Sequence, residues 1–372
     1  MHLLVLFAQH HWTGPAEPVL QIARGLRERG HRITWIYTRV PPGHLAPRIA
    51  EAGLGELPEI AFRRKGFHPV SWWRDRRRLR RFIREQRVDL VFCHHSHDHW
   101  FGREILRGLA DPPVLVRQIH ESRQLRPQAA YRFLYRRTDA LIVASQRWKQ
   151  ALLDRFGIDA SRVFVLPPAV DTARFKPVPE ASAIRAEIGA AFAQPLIGLV
   201  SRIKTGRGHE LALEAFGLVS REHPGARLLF VGRGEGRAEL EERVRQSALA
   251  ERVHFLGYRS DDLPAVYAAL NVSLLLGEGS DGSCRAALEA MACGTPVVAL
   301  PVGTLPESLI DGVTGRFVEG TVASLAAGIR DVLAHPEMGE AARRHAESAL
   351  AITRRVARAE EIFLELTGIR GV

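Results

Sequence analysis

Asp281 and Glu289 stand with seven residues between them in the stretch Gly279–Pro296, GSDGSCRAALEAMACGTP, where turn formers give way to helix formers. Gly279, Ser280, Asp281, Gly282 and Ser283 favour turns and leave backbone N–H groups to be satisfied. Arg285–Ala292 is rich in Ala, Leu, Glu and Met, and Gly294 followed by Pro296 ends the helix these residues predict. A small-residue loop entering a helix N-terminus suits an anion, because the unpaired N–H groups and the helix dipole point the same way. Ser283 and Cys284 lie where that N-terminus begins. The same residues also suit a capped helix, with Asp281 or Ser283 as the cap and Glu289 on a solvated face.

Two other clusters carry reactive side chains. His94, His95, His97 and His99 follow a strand-like run ending at Cys93. Their spacing matches no zinc pattern and no cysteine pair accompanies them, so no metal site is expected; the imidazoles read as lining a cleft or acceptor pocket. Trp72–Arg87, WWRDRRRLRRFIREQR, holds eight arginines against Asp75 and Glu85. Leu79, Phe82, Ile83 and Gln86 share one helical face, leaving arginine over the rest. Trp72 and Trp73, with Arg77, Arg80, Arg81 and Arg84, form either a solvated face or a contact with an anionic membrane or acceptor. No nucleic-acid-binding signature accompanies the charge, so nucleic acid is not an expected partner.

Alternating strands and helices must position these groups. Leu3–Phe7, Ile33–Tyr37, Val88–Cys93, Val114–Ile119, Leu141–Ala144 and Val163–Leu166 read as strands, with helices predicted over Glu17–Arg29 and Gln146–Phe156. The alternation restarts with Leu196–Val200, Leu228–Val231, Val253–Gly257, Val272–Leu276 and Val297–Leu300, and Gly312–Phe317 closes the domain. Such alternation predicts α/β architecture, with parallel sheets covered by helices and ligands beyond the carboxyl ends of the strands. Pro177 and Pro179 mark an expected linker. The expected domains are 1–176, 177–351 and a C-terminal helical segment, 352–372.

With 372 residues, 46% of them hydrophobic and 25% charged, the chain suits two globular domains. Its net charge of +11 is uneven: residues 1–176 carry 31 Lys and Arg against 16 Asp and Glu, and residues 177–372 carry 21 against 25. The first half is therefore expected to face something anionic. Cys93, Cys284 and Cys293 are too scattered for a disulfide framework and suggest a reducing, cytoplasmic compartment. The opening MHLLVLFAQ reads as a strand and not as a signal peptide, and no apolar run reaches the roughly 18 residues of a membrane span.

Leu288–Ala299, LEAMACGTPVVA, resembles the signature of retaining nucleotide-sugar glycosyltransferases of the GT-B fold, family 4. The resemblance implies two Rossmann-like domains facing each other across a deep cleft, with a C-terminal helix crossing back to the first. The first domain would bind the acceptor and the second the nucleotide-sugar. It also implies a metal-independent hexosyltransferase that needs no cofactor beyond its nucleotide-diphosphate sugar donor. Glu289 would hold the ribose hydroxyls and the first acid would contact the donor sugar. Asp281 has the spacing of that acid, although the family usually has Glu there; Glu278 is the alternative and breaks the spacing.

LVSRIKTGRGHELALEAF resembles the family's phosphate grip, with Arg202 matching its arginine and Arg207 standing in its lysine position; Lys204 is an alternative cation. His120–Glu121 matches the family's His-acid pair, whose histidine contacts the donor sugar or the developing cation. Thr13 and Gly14 occupy the place of a Gly-Gly phosphate-side loop, though a plain turn serves equally. Tyr258 falls where the nucleobase is cradled, and Gly282, Ser283 and Cys284 where the diphosphate meets the helix. The acceptor implied is a lipid-linked or cell-surface glycan, in lipopolysaccharide or polysaccharide assembly, reached by a cytoplasmic enzyme peripheral to the inner membrane face. Departures from the family pattern at Asp281 and Arg207, and at Pro168–Ala169 where the similar interdomain run has Asn-Gly, keep open a catalytically silent scaffold binding polyanions or membrane, and a nucleotide-sugar epimerase of the same fold is a further alternative.

Overall fold

A computed structural model describes residues 1–9, 11, 14–38, 45–56, 60, 69–279, 282 and 284–369. By packing, the chain divides into unit 1, Met1–Pro167 with Thr353–Val372, and unit 2, Pro168–Ile352.

Unit 1 is built on seven parallel strands: β1 His2–Phe7, β2 Arg32–Tyr37, β3 Gly55–Glu56, β4 Leu90–Cys93, β5 Val114–Gln118, β6 Ala140–Val143 and β7 Val163–Val165. They lie in the order β3-β2-β1-β4-β5-β6-β7, so the direction of winding reverses between β1 and β4. Leu3, Leu4, Val5, Leu6 and Phe7 are all fully buried, which explains an uninterrupted apolar run: a sheet covered on both faces has no polar side.

The arginine-rich stretch forms the helix Pro69–Glu85, which buries Asp75, Leu79 and Ile83 at helical spacing and turns most of its arginines outward. It stops short of the expected Arg87, where the backbone has a positive φ of 47°. Gln86 thus lies past the helix, yet its carbonyl accepts from His2 Nδ1 at 3.1 Å and its Oε1 from Arg32 Nη2 at 2.7 Å. The last helix, Ile352–Thr367, packs within unit 1. Phe363 meets Phe92 edge-on at 5.1 Å, and Glu360 accepts from Arg29 Nε and pairs with His31, both at 2.6 Å.

Unit 2 has six parallel strands: β8 Leu196–Val200, β9 Arg227–Val231, β10 Val253–Gly257, β11 Val272–Leu275, β12 Val297–Ala299 and β13 Gly315–Phe317. Their order, β10-β9-β8-β11-β12-β13, reverses between β8 and β11. Within Gly312–Phe317, expected to close the domain, β13 follows a turn in which Gly312 N donates to Gly315 O and Thr314 N to Ile310 O. The region expected as a linker packs into unit 2: Val178 and Ala181 lie against its core, flanked by core residues Val170, Phe175 and Ile184, and Arg343 Nη1 donates to Phe175 O and Ala292 O at 2.8 and 2.6 Å. The unit boundary therefore falls at Pro167–Pro168 and not at 176–177. All three cysteines are reduced and buried.

Candidate functional site

In an open parallel sheet the winding reversal leaves a crevice at the strand carboxyl ends, where two loops part to opposite faces. In unit 2 these are the loops after β8 and β11. They touch: a Cβ added to Gly277 would lie 2.6 Å from Gly206 O and 3.2 Å from Arg207 Cα, so no larger residue fits without moving backbone. This approach sets Arg207 beside the loop that enters the helix Arg285–Ala292. Among the described residues the Arg207 guanidinium has no hydrogen-bond or ion-pair partner. Arg202 instead donates through Nη2 to Glu235 Oε2 at 3.0 Å, an exposed pair of the kind that exchanges readily for another anion.

The helix begins where expected. Asp281 and Ser283, like Thr13, lie outside the described residues. The N-cap position is Cys284, which has a left-handed backbone (φ 52°) and offers no side-chain cap. Its placement follows from the loop after β12. Thr304 donates to Gly282 O through both N and Oγ1, at 3.0 and 3.2 Å, and Cys284 Sγ lies 3.4 Å from Val302 O. A Cβ on Gly303, itself at φ 56°, would come 2.5 Å from Gly282 O.

Glu289, about one turn into the helix, is half-buried and its Oε2 accepts from Tyr267 Oη at 3.0 Å. Burial and the Glu289 charge push the Tyr267 phenol well above its usual range, and the same two causes raise the Cys293 thiol to about 12. Tyr258, just past β10, is exposed, with the Arg233 guanidinium 5.5 Å from its ring centroid. Glu278 is exposed in the loop after β11. Unit 2 thus brings the Gly206–Arg207 backbone against Gly277, and the Gly282–Cys284 segment against Gly303, while Glu289 lies within the helix that follows. Tyr267 escapes sequence inspection because it lies 22 residues before its partner.

In unit 1 the corresponding reversal lies between β1 and β4. Gly14 sits in a turn just before the helix Ala16–Glu28. Asp98, wholly buried, staples the reversal: its Oδ2 accepts from Ala8 N at 3.2 Å and His94 N at 3.3 Å, and its Oδ1 from His95 N at 2.6 Å. Arg117 Nη1 lies 3.7 Å from Asp98 Oδ1, and its Nη2 donates to Gln124 Oε1 at 3.1 Å. His120, past the end of β5, is buried with Nε2 3.1 Å from His94 Nδ1. Burial above all pushes both imidazoles well below 6.5, and the Arg117 charge adds to it.

The other histidines have separate tasks. His99 Nε2 pairs with Thr138 Oγ1 at 2.7 Å, while His95 caps the helix Ser96–Leu106. No group of three metal-binding side chains occurs among the described residues.

The helix Pro69–Glu85 exposes Val70, Trp72 and Trp73 near its start, and Arg77 lies over the Trp73 ring at 5.6 Å. Trp72 meets Phe101 of the neighbouring helix edge-on at 6.0 Å, and exposed Trp100 adjoins it. Arg80 Nη1 donates to Arg107 O and Arg81 Nε to Glu85 Oε1, both at 2.6 Å; Arg84 is exposed.

Residues 13–174 match the family described as "Glycosyltransferase Family 4", and residues 181–349 match "Glycosyl transferases group 1". The GDP-mannose-dependent alpha-(1-6)-phosphatidylinositol monomannoside mannosyltransferase of Mycolicibacterium smegmatis is 30% identical over 284 residues, 71% of this chain and 72% of that protein. A D-inositol 3-phosphate glycosyltransferase of Geodermatophilus obscurus is 36% identical over 220 residues, 56% of this chain and 48% of that protein. The chain spans about half the length of several such relatives. Anabaena HepE, solved in complex with UDP, superposes with a TM-score of 0.81 at 20% identity, covering 98% of this chain and 100% of that one. A Rickettsia africae glycosyltransferase gives 0.82 at 18% identity, covering 98% of each chain. At such identities the structural likeness concerns the fold alone.

Proposed function

Because the chain belongs to the glycosyltransferases of family 4, with the GT-B fold of two Rossmann-like units, we propose that its donor is a nucleotide-diphosphate sugar and that transfer retains the anomeric configuration. The carrying observation is the meeting of the Gly206–Gly208 and Gly277 loops at the unit 2 crevice, which sets Arg207 beside the approach to Arg285–Ala292. The mannosyltransferase relative is named for GDP-mannose and HepE was solved with UDP, which supports a donor of this class.

In this reading the diphosphate rests on the N–H groups at the start of Arg285–Ala292 and on Arg207 and Arg202, while Glu289 binds the ribose. Fixed positive charge there stabilises the negative charge that grows as the bond from the anomeric carbon to phosphate oxygen breaks. The acceptor oxygen bonds to the same face of that carbon, and its proton passes to the leaving phosphate. Asp281, His120 and Tyr258 are assigned to the sugar, its developing cation and the nucleobase respectively. Cationic side chains and backbone amides supply the charge stabilisation, so the proposed reaction uses no metal.

The proposed acceptor is a lipid-linked or cell-surface glycan, handled in the cytoplasm at the inner membrane face. The basic, tryptophan-bearing start of Pro69–Glu85 supports this. No helix among the described residues is long and apolar enough to cross a membrane, so attachment by this region would be peripheral. A thermal-shift screen of UDP, GDP, ADP and their sugars tests the donor. Product NMR with the responding donor tests the stereochemistry, and an inverted anomeric linkage would overturn retention. Activity that vanishes with chelator and returns with Mn²⁺ or Zn²⁺ would overturn metal independence.

A further inference from the structure

We infer that Tyr267 is the positioning residue for Glu289, fixing the carboxylate in the direction needed to meet a nucleotide. The inference rests on the nucleotide-binding reading of Glu289 above. Tyr267 lies on the helix Leu263–Ala269, fully buried, and its hydroxyl donates to Glu289 Oε2 at 3.0 Å. A glutamate side chain has three rotatable bonds, and ordering it only on ligand arrival would cost affinity. A hydroxyl on a rigid ring removes part of that freedom beforehand, because a phenol has little rotamer choice once its ring is packed.

The packing around the ring is what makes it rigid. Thr295 Oγ1, just beyond the C-terminus of the Glu289 helix, donates to Tyr267 O at 2.6 Å. Phe175 meets the ring edge-on at 6.2 Å. Arg343 Nη1 then ties Phe175 O to Ala292 O, the last residue of the Glu289 helix, at 2.8 and 2.6 Å. Tyr267 and Glu289 are therefore joined both through their side chains and through a backbone clamp. The direction of the bond is unambiguous: a carboxylate only accepts, and burial beside it keeps the phenol protonated.

Calorimetric titration of wild type, Tyr267→Phe, Glu289→Gln and the double variant with UDP, GDP and ADP tests this. Tyr267→Phe removes one oxygen and keeps the ring. It is expected to weaken the nucleotide that binds wild type by about five- to tenfold, the scale of one hydrogen bond. In the Glu289→Gln background the same change should alter affinity less than about twofold, because its effect travels through the carboxylate. A purely structural role would instead give equal losses in both backgrounds, and that outcome overturns the inference. Weakened binding by Glu289→Gln with unchanged binding by Tyr267→Phe overturns it alone. Unchanged binding by Glu289→Gln, or no binding of any of the three nucleotides to wild type, overturns the underlying reading together with it.

Discussion

His94 Nδ1 and His120 Nε2, both buried, lie 3.1 Å apart, so one ring donates the single proton between them and the other accepts, and burial favours the neutral form of each. Phe7 and Phe92 pack against His94, at ring distances of 5.7 and 4.2 Å, and Arg117 supplies a positive charge nearby. Each of these surroundings opposes a second proton.

The first prediction is that unit 1 is acid-labile. His94, His99 and His120 are held well below 6.5 when folded, so below that pH the unfolded chain binds protons the folded one refuses. Stability is complete above about pH 6.5 and falls as pH drops toward the folded values, by up to about 1.4 kcal/mol per pH unit for each histidine. All six tryptophans lie in unit 1, so tryptophan fluorescence in urea reports this unit. A midpoint unchanged from pH 7 to pH 5.5 would contradict the expectation.

Asp98→Asn should loosen the winding reversal of unit 1. The carboxylate accepts from three backbone N–H groups, and an amide offers them one acceptor oxygen and an unwanted donor. A loss of roughly 2–4 kcal/mol is expected, the scale for disrupting a buried charged network. Hydrogen exchange should accelerate at Ala8, His94 and His95, with unit 2 unaffected. Retained protection at those amides would show that the backbone holds the reversal unaided.

Much of this architecture was legible in the chain itself. The helix Gln146–Phe156 has its expected bounds because both ends are marked: Ser145 accepts from Trp148 N, and Gly157 takes the left-handed conformation that stops it. Leu196–Val200 and Arg285–Ala292 were equally well framed by their flanking turns. The two-residue strand β3 carries too little pattern to announce itself. Asp98 and Tyr267 were hidden for another reason. Their partners lie up to 90 and 22 residues away, and no local periodicity encodes a contact across that separation.

Arg207→Ala should reduce turnover by about 10²-fold or more while leaving thermal stability nearly unchanged. The charge it serves grows in the transition state, and its guanidinium makes no hydrogen bond or ion pair among the described residues. Arg207→Lys should recover much of the loss, since a point charge replaces the fork. Full activity in Arg207→Ala would pass the role to Lys204 or remove it.

Vesicle sedimentation tests the basic helix. Wild type should bind anionic vesicles and not neutral ones, and salt should reverse binding by screening. Replacing Arg77, Arg80, Arg81 and Arg84 with Gln should weaken sedimentation and spare nucleotide affinity. Part of any stability loss would come from Arg80, whose guanidinium also holds Arg107 O. Equal sedimentation of both proteins would make the helix a solvated face.

The placement of the three thiols gives each unit its own clock. Cys93 belongs to unit 1, Cys284 and Cys293 to unit 2, and all are sealed from solvent. Burial holds Cys93 and Cys293 in the unreactive thiol form. An alkylating reagent can then mark a cysteine only after its surroundings open. Mass spectrometry of the three tryptic sites over time would time the opening of the two units in one sample, without a label or an added residue.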